Sequence, residues 1–149
     1  MNLLMIGTIT GVIGTITGIL GIVFSLLRAR RDKYDAVSEF LTQIEDEKFI
    51  SVKNYVYNHE RNEWDVKDEQ AAIIVNFFHH WGMLAKRKYL PMWVFKNATG
   101  IGACRLYESV KPYIEARRKF NNDNSYGEYF EWLYLKLKCK TLSQHMRKK

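Results

Sequence analysis

Residues 7–27 read GTITGVI, GTITGIL, GIVFSLL when written in sevens. Gly7, Gly11, Gly14, Gly18, Gly21 and Ser25 follow one another at alternating steps of four and three, a spacing that keeps them on one face of a helix. Thr8 and Thr15 flank one side of this stripe, Thr10 and Thr17 the other, and Ile9, Val12, Ile13, Ile16, Leu20, Val23 and Leu27 fill the opposite face.

Working outward, no charged residue occurs from Leu3 to Leu27. A helix of that length rises about 37 Å, against a hydrocarbon core of about 30 Å, so residues 3–27 are expected to form a single transmembrane helix. The run opens as Met1-Asn2-Leu3 and closes on Arg28-Ala29-Arg30-Arg31, the reverse of a cleaved secretory signal, which carries its basic residues first. A retained anchor is expected. Arg28, Arg30, Arg31 and Lys33 make residues 28–33 a basic juxtamembrane stop at the membrane surface, and this asymmetry predicts an outside N-terminus with the following domain cytoplasmic.

Glycine in a helix interior is about 0.8–1 kcal/mol worse than alanine, a cost moderated in membranes, so five of them on one face call for compensation. Small residues let helix backbones approach closely and form interhelical contacts in lipid, which points to a homo-oligomer. Threonines on both sides of the stripe suit a ring around a lumen; a dimer through the glycines fits the same residues. The bland reading is an anchor of ordinary small-residue composition.

The whole chain has 149 residues and a formal net charge of +7, room for one span and one soluble domain. Part of the charge lies in Lys86-Arg87-Lys88, in Arg117-Arg118-Lys119 and in the tail beyond Lys136. Such clusters suit the headgroups of an anionic lipid bilayer, or an anionic partner such as a nucleotide or an acidic protein face. Cys104 and Cys139 would stand in a reducing compartment, and neither has a CxxC partner.

Beyond the stop, residues 34–141 carry helical periodicity, giving an all-α fold with a basic tail at 142–149. Tyr34, Val37, Phe40, Leu41 and Ile44 recur at helical spacing, either continuing the span or following a bend near Asp32. Glu45-Asp46-Glu47 opens a helix bearing Phe49, Val52, Tyr55 and Val56, and Asn58–Asn62 reads as a connection. The strongest stripe, Ile74, Phe77, Phe78, Trp81, Leu84 and Ala85, lies in a helix expected from Asp65 to Lys88. Pro91 opens a short helix to Lys96; Thr99 or Gly100 starts a longer one with Ala103, Leu106, Val110 and Ile114 inward, kinked or restarted at Pro112. Asn121–Gly127 forms a loop before a last helix bearing Tyr129, Phe130, Leu133 and Leu137.

No catalytic site is assigned. The chain has no GxxxxGK[ST], GxSxG or HExxH, and Gly100-Ile101-Gly102-Ala103 is too short for a dinucleotide fingerprint. His79 and His80 are adjacent, so they point apart on a helix where metal ligands need i, i+4 spacing; no metal and no cofactor are expected. Lys86, Arg87, Arg105, Lys111, Arg117 and Arg118 are the candidate ligand- or partner-binding cations. Aromatics among them, from a set that includes Trp64, Trp81, Trp93 and Trp132, would stack bases if exposed and form core if not. Binding of duplex DNA is not expected.

Two stretches, Asn76-Phe-Phe-His-His-Trp-Gly-Met-Leu-Ala-Lys-Arg87 and Tyr107-Glu-Ser-Val-Lys-Pro-Tyr-Ile-Glu-Ala-Arg-Arg118, followed by Tyr129-Phe-Glu-Trp-Leu133, resemble an uncharacterised family of bacterial membrane-anchored helical domains. The resemblance covers Tyr34 to Leu137 and implies a helical domain behind a membrane helix, with no activity attached. An oligomerising span joined to a sensing cytoplasmic domain resembles, in architecture, small phage-defence effectors. The expectation is therefore an inner-membrane effector that forms a pore or disrupts the membrane when its cytoplasmic domain senses an infection cue, either a phage protein assembly or a cyclic nucleotide. The alternative is a membrane-tethered adaptor that recruits a cytoplasmic partner.

Overall fold

The computed structural model describes the backbone of residues 3–62 and 66–146 and the side chains of residues 17–58 and 66–138. Every regular element among them is helical: α1 (Leu3–Ile44), α2 (Glu47–Asn62), α3 (Asp68–Lys86), a 3₁₀ turn (Met92–Phe95), α4 (Ala98–Asn121) and α5 (Glu128–Met146). The chain is all-α in the described residues, as its periodicity predicts. It divides into two units, Met1–Asp35 and Ala36–Lys149.

The first unit consists of α1 up to Asp35. The side chains described in it are exposed throughout, including Ile19, Ile22, Phe24, Leu26 and Leu27. Among the described residues, no helix is long and apolar enough to cross a membrane. Most of the expected span, with the side chains of Thr8, Thr10 and Thr15 and the surroundings of Gly7, Gly11 and Gly14, lies outside the described side chains.

In the second unit, the last turns of α1 insert a fully buried Phe40, whose ring lies 5.2 Å from both Trp81 and Phe95. Tyr34 and Leu41 of the same predicted stripe are exposed. Asp46 starts α2 by accepting the backbone N–H groups of Lys48 at 3.0 Å and Phe49 at 3.3 Å, which satisfies two donors that a helix start leaves free. Phe49 then stacks on Phe77 at 4.0 Å.

α3 occupies the centre and meets α2, α4 and α5. Its buried residues Ala71, Ile74, Val75, Phe78, Trp81, Gly82 and Ala85 follow the three-and-four spacing of the sequence, while Phe77 and Leu84 are half-buried. Each large apolar side chain removed from water here contributes about 1.5–3 kcal/mol. Gly82 sits where a Cβ would collide with the Tyr129 carbonyl, so its bare backbone sets how closely α3 and α5 approach. α4 buries the predicted Ala103, Leu106, Val110 and Ile114 and adds Gly100 and Tyr107.

Several local expectations differ from the structure, among them that α4 starts at Ala98 rather than Thr99 or Gly100 and that α3 ends at Lys86 rather than Lys88. Residues 58–62 belong to α2, because their polar side chains carry no helix breaker and helix continuation needs only backbone bonding. α3 begins at Asp68 rather than Asp65, which lies outside the described residues. The turn after Pro91 is 3₁₀ and ends at Phe95. α4 passes through Pro112 without ending; the residue is exposed, so water can reach the carbonyl that lacks its helical donor. Two helices close with a residue in the left-handed region, Lys88 (φ 66°) after α3 and Asn122 (φ 49°) after α4. In each, the next two amides fold back on the last turn: Lys88 to Ala85 and Tyr89 to Leu84, Asn122 to Lys119 and Asp123 to Arg118.

Candidate functional site

The described part of the small-residue stripe is Gly18, Gly21 and Ser25, with Thr17 beside it. A Cβ placed on Gly18 or Gly21 would meet nothing within 4 Å, so no packing within the chain requires glycine at either position. Arg28, Arg30, Arg31 and Lys33 are exposed, and the Arg31–Asp35 contact of 3.9 Å lies in solvent, where such a pair contributes little.

The six cations of the second unit do not gather. Lys86 and Arg87 stand at the end of α3, and its opposite end, at Asp68, is about 27 Å away along the helix. Lys86 lies over the Tyr129 ring at 5.1 Å and Arg105 over Tyr57 at 5.0 Å. Lys111 pairs with Glu115 at 3.6 Å on the α4 surface. Arg118 turns inward: its Nη2 stands 2.8 Å from the Glu131 carboxylate, and its Nε–H donates to the Tyr126 carbonyl at 2.8 Å. Arg118 thus fastens α4 to α5, whereas its neighbour Arg117 faces outward.

Arg117 borders an open groove of about 660 Å³ between the start of α3 and the outer face of α4. Val66, Asp68, Ser109, Tyr113 and Phe120 also line it. The groove has a built character: the Arg117 Nε–H donates to the Tyr113 hydroxyl at 3.0 Å, the guanidinium lies 5.5 Å from that ring, and Tyr113 packs edge-on to Tyr126 at 6.1 Å. The hydroxyl contact holds the guanidinium pKa above its usual value, and burial, aided by the Tyr113 hydroxyl, raises the Tyr126 phenol. Phe120 is 84% exposed, an unusual position for a large apolar ring. A fixed cation, two aromatic rings and an acceptor in a groove of this size suit a small planar anion or the side chains of a partner protein.

Charge alone singles out Arg117 as a candidate binding residue, and Asp68, Ser109, Tyr113 and Phe120 join it only in the structure. Their signal is present: positions 109, 113, 117 and 120 form a second stripe on α4, beside the buried one.

Elsewhere, His79 faces the start of α5, with its ring edge-on to Tyr129 at 5.0 Å and Nδ1 buried without a partner. Burial lowers its pKa, Glu128 opposes that and His80 adds to it. Cys104 is half-buried, and burial raises its thiol pKa. Of the tryptophans, Trp81 is core, Trp132 is half-buried and Trp93 is exposed; Trp64 lies outside the described residues and Cys139 outside the described side chains. Among the described residues, no three His, Cys, Asp or Glu side chains gather as a metal site.

A family model for a domain of unknown function, DUF4760, matches residues 7–137. The chain belongs to the DUF4760 family. The match to DUF4760 begins within the first glycine heptad, so the family pattern extends beyond the Tyr34–Leu137 stretch that carried the resemblance in the sequence. It also takes in the whole of the groove on α4. No curated protein and no solved structure matches the chain.

Proposed function

We propose that this DUF4760 protein is an oligomerising effector of the bacterial inner membrane, anchored by residues 3–27 with its N-terminus outside. On this reading it acts against phage, opening a pore or disrupting the bilayer when its cytoplasmic domain senses infection. The observation that carries the reading is the exposed face of α1: Gly18 and Gly21 border open space while Ile19, Ile22, Phe24, Leu26 and Leu27 are bare. Apolar side chains in that number need a cover of lipid or protein, and glycines facing nothing within the chain suit the close approach of a second copy. The uncharged run from Leu3 extends the same face to a length that spans a bilayer.

The groove beside Arg117 and Phe120 is the receptor surface in this scheme, and its cue is a phage protein assembly or a cyclic nucleotide. A multivalent phage protein would gather protomers and raise their effective concentration in the membrane with no new helix contact. The bare Phe120 ring also supports a second reading, an adaptor whose groove recruits a cytoplasmic partner.

The test is to infect cells carrying the wild type or Gly14→Leu with a panel of phages and follow entry of a membrane-impermeant dye. Early dye entry that Gly14→Leu abolishes, with the protein still in the membrane, supports the effector. Unchanged dye entry in Gly14→Leu sinks the role of the stripe. Function that survives replacement of residues 3–27 by an unrelated monomeric anchor establishes the adaptor instead.

A further inference from the structure

The end of α3 and the turn after it form a corner of a different character from the groove. Lys86, Arg87, Lys88 and Lys96 are exposed there, and Tyr89 and Trp93 expose 57% and 55% of their surface. No acidic residue occurs in the sequence between Glu69 and Glu108. Among the described residues, none of the four cations is in an ion pair, and only Lys86 has an aromatic neighbour, Tyr129.

The corner is built rather than loose. Leu90, Val94 and Phe95 are buried beneath it, which leaves their neighbours Tyr89 and Trp93 directed away from the core. Lys88 closes α3 in the left-handed region, where a residue with a Cβ is less stable than glycine. A lysine held at a position that favours glycine suggests a use for its charge. The corner also adjoins the start of its unit: Phe95 packs on Phe40, one helical turn from Ala36, and the chain before Ala36 carries the basic stop and the uncharged run.

We propose that this corner, Lys86–Lys96, is a membrane-docking surface that seats on anionic phospholipid headgroups. Tyrosine and tryptophan partition to the boundary between headgroups and acyl chains, where an apolar ring and a polar edge are both accommodated. Four cations without an ion-pair partner among the described residues stand around them and complement a negatively charged leaflet. Lipid is favoured over nucleic acid because Tyr89 and Trp93 stand exposed beside the buried Leu90 and Val94, the disposition of interfacial anchors, and because the sequence before this unit carries a predicted anchor. The inference rests on the membrane reading above and gives the second unit a fixed seat on the cytoplasmic leaflet.

The test uses the full chain reconstituted into vesicles of phosphatidylcholine alone or mixed with phosphatidylglycerol, with bromine on the lipid acyl chains as a contact quencher. The difference between wild type and Trp93→Phe isolates the Trp93 emission. Docking predicts that this emission is quenched in the mixed vesicles, far less in phosphatidylcholine, and is restored by Lys86→Glu/Arg87→Glu/Lys88→Glu. Raising the salt to 1 M, where the Debye length falls to about 3 Å, should restore it as well. Lys88→Gly should raise the thermal midpoint while weakening the quenching, a split that a purely structural role for Lys88 would not produce.

Trp93 emission that bromine leaves untouched in mixed vesicles overturns the proposal, as does quenching indifferent to charge reversal and salt. Extraction of the wild type by alkaline carbonate reports separately on the anchor. A chain that resists extraction with Trp93 unquenched refutes the corner alone, and a chain that is extracted refutes the anchor.

Discussion

The Arg118 guanidinium lies 2.8 Å from the Glu131 carboxylate, and this contact, together with the Arg118 bond to the Tyr126 carbonyl, ties the end of α4 to the loop and the first turns of α5. Arg118 is only 18% exposed, so its partners cannot simply exchange it for water. Arg118→Ala should therefore lower stability by about 1.5–3 kcal/mol, the range for hydrogen bonds to charged groups. Arg117→Ala, on the exposed face, should stay within about 0.5 kcal/mol. Urea denaturation of the two variants decides; equal losses would contradict the inward role of Arg118.

Gly82 touches the Tyr129 backbone, and no side chain there can move aside for a new methyl group. Gly82→Ala should force α3 and α5 apart and cost about 1–3 kcal/mol, the usual range for overpacking a well-filled site. Thermal unfolding measures it, and an unchanged midpoint would show that the helices separate without penalty.

Gly18→Ala should act in the opposite sense on the isolated chain, since the site is open and alanine favours a helix by about 1 kcal/mol over glycine. If copies of α1 pack through this stripe, the same substitution weakens their association. Cross-linking in membranes, set beside helix content in detergent, separates the effects; undiminished cross-linking would remove the stripe from the interface.

His79 links stability to pH. Its folded pKa lies below its ordinary value of about 6.5, mainly through burial, so on acidification the unfolded chain takes up the proton first. The contribution is fully present above about pH 7 and is lost as the pH falls through 6.5 toward the folded value. The thermal midpoint of the wild type should drop across this interval more steeply than that of His79→Phe. Parallel pH profiles would show that His79 is not the titrating group.

The core of the second unit was legible because burial repeats every three or four residues: Ile74, Phe78, Trp81 and Ala85 on α3, and Ala103, Leu106, Val110 and Ile114 on α4, all face inward. Helix ends were less so. Polar residues 58–62 look like a connection but continue α2, since composition reports solvent exposure rather than backbone bonding. Pro112 reads as a kink or a restart of α4; the helix continues through it, so it does not restart there. Among the cations, sequence gives charge but not direction: Arg117 and Arg118 are neighbours, yet one borders a groove and the other is spent on Glu131. The groove is not legible in any single residue: Ser109, Tyr113, Arg117 and Phe120 form it only as a stripe on α4 beside the buried one.

The meeting of α3 and α5 at Gly82 has a mechanical side. Where two helices touch through side chains, the rings can slide and absorb a small displacement, as the stacked Phe49 and Phe77 are placed to do. Where they touch backbone to backbone, there is no such cushion, and packed interiors transmit strain. At Gly82 the α3–α5 contact therefore has one rigid point, set beside the stacked rings of Phe78 and Phe130. A displacement of α3 at that point bears on the Tyr129 backbone directly, with no side chain between them to repack first.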